Sequence, residues 1–193
     1  EMKGALADPE SVLYHAMNRA LYPNSCYAFE SGGRPSAIPE LTYEDFLDAH
    51  QRHYRLDNSY IVLYGDMDIE RMLAFLNDEY LSAAEEAQGE PNPVGEIAPR
   101  MVEYEAVPMQ TSPENATAGL GYVVGSAHDF ERGLATSILL DALMGGNESP
   151  IKRAILDAEI GGDCSAFLAD AQAYMTAVFV LRNAHPDSAQ KFR

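Results

Sequence analysis

The sequence predicts an α+β fold laid out in two segments. Three observations carry that expectation. Apolar residues recur at helical spacing behind helix-capping residues at several points along the chain. Runs of β-branched and aromatic residues, at 60–64 and 117–124, stand between them and read as strands. A polar, proline-bearing stretch at 83–99 then separates a helix-rich first part from a second part in which strands dominate. With 193 residues, 47% of them hydrophobic and 22% charged, the chain can bury a sizeable core.

Each element follows from local chemistry. The opening residues Glu1-Met2-Lys3-Gly4-Ala5-Leu6 carry no N-cap and no initiator methionine, yet they read as helix, so the chain is expected to be a piece of a longer protein. Asp8-Pro9-Glu10 starts a helix over 9–21, with Leu13, Met17 and Leu21 near helical spacing. Tyr22-Pro23-Asn24-Ser25 ends it, and a loop rich in Gly, Ser and Pro follows to Pro39. Thr42, with Asp45 three residues on, is an acidic capping box for a helix carrying Phe46, Leu47, Ala49, His50, His53 and Tyr54. Asp57-Asn58-Ser59 is a turn, and the continuous apolar run 60–64 predicts a buried strand. Asp66 to Asp68 cap a helix over 69–81, with Met72, Leu73, Phe75 and Leu76 inward.

Beyond the polar stretch, residues 101–109 alternate in part and predict a strand, as do 117–124. Asp129 starts a long helix to Met144, ended by Gly145-Gly146-Asn147. Ser149-Pro150 starts another, with Leu156 and Ile160 on one side and Gly161-Gly162 at its end. Residues 164–171 and 173–182 read as a strand pair around a polar turn. His185-Pro186-Asp187 opens a last helix, cut off at Arg193.

Charge and motifs narrow the function classes. A net charge of -17 argues against nucleic acid, which requires clustered Lys and Arg; it favours basic partners, with solubility the simpler use. Cys26 and Cys164 are far apart and make neither a disulfide framework nor a zinc knuckle, which points to a reducing compartment. No apolar run is long enough for a bilayer, and GxGxxG, P-loop and EF-hand patterns are absent. His50 and His53 have a spacing a metal could use. The segment His50-Gln51-Arg52-His53 lacks a glutamate base, however, and Arg52 adds positive charge, so partly buried structural histidines are expected. Ser31-Gly32-Gly33 serves turn geometry, Asp66 and Asp68 serve as caps, and Tyr60, Tyr64 and Tyr122 serve core or cross-strand packing. Taken alone, Glu1 is a surface carboxylate.

A sequence of blocks carries more. Glu1-Met2-Lys3-Gly4 precedes Tyr22-Pro23-Asn24, Ser31-Gly32-Gly33, Pro35, Ile38-Pro39, Leu41-Thr42-Tyr43-Glu44 and Phe46. After these come His50, Tyr54, Asn58-Ser59-Tyr60 and Leu63-Tyr64-Gly65-Asp66. The second part adds Gly119 to Gly125, Leu139-Leu140, Leu143 and Asn147-Glu148-Ser149-Pro150-Ile151-Lys152. This order resembles the presequence-protease branch of the pitrilysin/insulinase (M16) zinc metallopeptidases.

The resemblance implies a fold of two M16-type (LuxS/metallopeptidase-like) α/β-sandwich segments, both incomplete. Residues 1–82 would be the C-terminal part of the first, zinc-bearing domain. Residues 83–100 would be a linker, and 101–193 the second domain, incomplete at its C-terminus. It further implies a zinc metalloendopeptidase acting on unfolded or short peptides inside a two-half clamshell. In that family two zinc-binding histidines and the general-base glutamate form an HxxEH motif, expected upstream of this chain, and a third ligand comes from a downstream glutamate, here Glu1. No catalytic residue is then expected within the chain, and substrate-binding residues remain unassigned. Zinc is expected in the intact enzyme and not on this chain alone, which should be inactive. The partners implied are peptide substrates and the remaining halves of the same polypeptide, with neither nucleic acid nor membrane. The alternative is a non-catalytic M16-like structural or partner subunit.

Overall fold

The computed structural model describes residues 4, 6–82 and 97–193. Two compact units emerge, one formed by Glu1–Pro35 with Glu96–Arg193, the other by Ser36–Gly95.

The first unit is built on a three-stranded antiparallel sheet. Its strands are β1 (Ala116–Ser126), β2 (Asp163–Ala169) and β3 (Tyr174–Ala184), in the order β1-β3-β2. The last of these strands in sequence is thus the middle one in space, and six buried apolar residues lie on it: Met175, Ala177, Val178, Val180, Leu181 and Ala184. Pairing of Gly121 with Val178 and of Phe167 with Val178 fixes the register on both sides. Because strand side chains alternate, Gly119, Gly121, Val178 and Phe167 share one face, while Ala118, Leu120, Tyr122, Phe179, Leu181 and Cys164 share the other.

Helix α1 (Pro9–Leu21) lies on the glycine face. Asp8 caps it, its carboxylate accepting from the Ser11 N–H at 2.8 Å and the Ser11 hydroxyl at 2.7 Å, with proline in the first turn. The two glycines set how closely the helix approaches. A Cβ on Gly119 would stand 2.8 Å from Leu13 Cδ2, and one on Gly121 would stand 2.6 Å from Met17 Sδ. At the helix end the buried Tyr22 hydroxyl shares a 2.9 Å hydrogen bond with that of Thr176 on β3, and its ring meets Tyr27 edge-on and stacks on Tyr174.

The opposite face is covered by α4 (Phe130–Met144), α5 (Pro150–Asp157) and the short α6 (Ala189–Phe192). Met144, Ile160, Cys164, Leu181 and Ala184 form the core there, with Ala118, Phe179 and Phe192 packed around it. Asp129 caps α4 through the Arg132 N–H at 3.1 Å, and Pro150 opens α5.

In the second unit, α2 (Tyr43–His53) begins with the reciprocal capping box expected of Thr42 and Asp45. Helix α3 (Ile69–Leu76) is capped by Asp68, which accepts from the Arg71 N–H at 3.1 Å, and continues as a π-turn over Asn77–Leu81. Neither helix contains a buried residue.

Several expectations need correction. Residues 60–64 are not a buried strand: they join no ladder, and Tyr60, Val62 and Tyr64 are 100%, 84% and 94% exposed. The composition favours a strand, but a strand exists only when its backbone pairs, and no partner is present among the described residues. Residues 101–109 likewise form no strand, and Met101 and Tyr104 face solvent. On α3, Met72 and Leu76 are half-buried while Leu73 and Phe75 are exposed. Helix α5 ends three residues before Ile160, with Glu159 rather than a glycine taking the left-handed conformation at φ 51°. The expected linker falls outside the described residues over 83–96.

Candidate functional site

The strongest cluster of charged side chains in the described residues joins four elements. Arg182 of β3 donates from Nε and Nη2 to the two carboxylate oxygens of Glu10, at 2.5 and 2.7 Å, in a bidentate pair with the first turn of α1. Its Nη1 donates to Asp163 of β2 at 3.4 Å, and Lys152 Nζ of α5 stands 3.1 Å from the other Asp163 oxygen. The Arg182 guanidinium holds the Glu10 carboxyl below its ordinary range, and Lys152 does the same for Asp163. The hydrogen bonds to Glu10 in turn push Arg182 up. Asp8 is lowered by the Ser11 hydroxyl.

This network borders an open depression of about 400 Å³, to which Asp8, Glu10, Thr111, Asn115, Arg182 and Asn183 contribute. Glu10, Arg182, Asp163 and Lys152 satisfy one another, and no general base stands beside a nucleophile in the cluster. The arrangement therefore locks α1 to the sheet. Cys164 lies below it, fully buried, and burial pushes its thiol up, away from the reactive thiolate.

The residues singled out from sequence are scattered relative to this cluster. Glu1, the implied metal ligand, lies outside the described residues. His50 and His53 are exposed instead of partly buried; His50 stacks on Tyr54 with ring centroids 4.7 Å apart, and the His53 carbonyl accepts from Asn58 Nδ2 at 3.0 Å. Gly33 closes a turn onto the Glu30 carbonyl at φ 85°, as the Ser31-Gly32-Gly33 reading expects. Tyr122 meets Phe179 edge-on across the sheet. Among the described residues, no three His, Cys, Asp or Glu side chains converge to hold a metal ion, so these residues do not themselves make a zinc site. Nor is any described helix long and apolar enough to cross a membrane.

Residues 40–192 match the family model described as the peptidase M16 inactive domain. The chain belongs to the M16 peptidase family. Within that family it is presequence-protease-like. This M16 chain is 34% identical over 198 residues to Protein HypA of Clostridium perfringens, a match that takes in 100% of the chain and 20% of that protein. It is 30% identical over 172 residues to the mitochondrial presequence protease of Danio rerio, covering 86% of the chain and 17% of the relative. The M16 chain thus spans about a fifth of the length of these curated relatives. Its fold, mixed helices around a small antiparallel sheet, is that of M16-like structures. It superposes on a chain of complex III2 from Candida albicans, Inz-5 bound, with TM-score 0.75 at 12% identity, covering 99% of this chain and 47% of that one. A protease from Helicobacter pylori gives TM-score 0.70 at 17% identity, covering 95% and 45%.

Proposed function

We propose that this chain is part of a zinc-dependent metalloendopeptidase that hydrolyses unfolded or short peptides. The observation that carries the reading is the 30% identity to a presequence protease along 86% of the chain. In this reading residues 1–82 are the C-terminal part of the zinc-bearing domain, 83–100 link it onward, and 101–193 are the second M16 domain, the two together making the two-segment fold. The absence of a buried residue in α2 or α3 supports the presence of further covering elements in the intact protein, because helices with apolar faces need a neighbour to cover them. The neighbours proposed are the remaining parts of the same polypeptide.

Glu1 is the residue proposed to contribute a carboxylate to the zinc site, the other ligands and the general base lying in an HxxEH motif before it. Zinc chemistry then belongs to the intact enzyme, and the 193-residue chain alone is expected to be inactive. The decisive experiment measures peptide hydrolysis and zinc content of the intact protein, with and without Glu1→Gln. Loss of both in the variant supports the reading. An intact protein that holds no zinc and cuts no peptide sinks it.

A second reading rests on a separate observation, that the matched family model is described as an inactive domain over residues 40–192. The intact protein would then be a non-catalytic M16-like structural or partner subunit. Absence of HxxEH in the intact polypeptide favours this second reading.

A further inference from the structure

We draw no further inference here: the strongest candidate, the outward apolar stripe of Phe130, Leu134 and Ile138 along α4, which are 81%, 65% and 62% exposed, carries nothing because no feature of the structure shows what covers it.

Discussion

Arg182 and Glu10 lie 172 positions apart in the chain and meet in a bidentate ion pair that ties the middle strand of the sheet to the first turn of α1. Their side chains are 31% and 41% exposed, so solvent screens part of the attraction. A double-mutant cycle with Arg182→Met and Glu10→Gln is expected to give a coupling of about 1 kcal/mol, between the range for an exposed pair and that for a charge-assisted bidentate pair. Urea unfolding measures it. A coupling near zero would show that the pair is incidental to stability.

The same network sets an acid limit. Glu10 and Asp163 both titrate below their ordinary values of 4.5 and 3.8, because cationic partners favour their charged forms. The unfolded chain therefore binds more protons in acid, and folding stability drops as pH falls. The contribution is complete above about pH 4.5 and is lost progressively below it, as each carboxyl is protonated through its lowered folded value. Glu10→Gln combined with Asp163→Asn should flatten the dependence of the urea midpoint on pH between about 5 and 3. An unchanged slope would place the acid sensitivity elsewhere.

Tyr22 and Thr176 are 1% and 3% exposed, and their hydroxyls satisfy each other. Tyr22→Phe should cost about 1–2 kcal/mol, because it leaves the Thr176 hydroxyl buried without that partner. Adding Thr176→Val should recover much of the loss, since replacing both polar groups removes the unpaired one. Thermal unfolding of the two single variants and the double variant provides the comparison. A double variant as unstable as the sum of the singles contradicts the account.

Glu159 holds φ 51° just past the end of α5, a conformation that costs a residue with a Cβ roughly 1–2 kcal/mol. Glu159→Gly relieves that cost but adds entropy to the unfolded chain, so a net gain of about 0.5 kcal/mol is expected. Asn183, at φ 50°, is a residue type that visits this region routinely, and Asn183→Gly should gain less. Paired denaturant midpoints decide between them, and a loss of stability in Glu159→Gly would contradict the argument.

The legible parts of the fold were those written in neighbouring residues. Asp8 with Pro9, Thr42 with Asp45, Asp129, and Pro150 each mark a helix start through contacts reaching no further than one turn. The β2–β3 hairpin was legible for the same reason. Residues 60–64 were not, because their composition says only that they suit a sheet, while pairing depends on a chain segment elsewhere. Residues 101–109 failed likewise. The block pattern around Tyr22-Pro23-Asn24 and Leu63-Tyr64-Gly65-Asp66 identified the family. The lock between Glu10 and Arg182 left no mark that spacing could reveal, since both read locally as ordinary surface charges.

The position of β3 has a consequence for synthesis. It is the middle strand of its sheet yet the last to be made, so β1 and β2 have no common neighbour until residues 174–184 emerge. At about 5–20 residues per second, roughly 10–30 s separate the appearance of Glu10 from that of Arg182. Throughout that interval α1 waits without its sheet, and β1 offers an unpaired edge to any other nascent chain. Pairing with β3 covers one edge of β1 and leaves the other at the rim of the sheet, so the ribosome-bound intermediate presents more unpaired strand backbone than the folded sheet does.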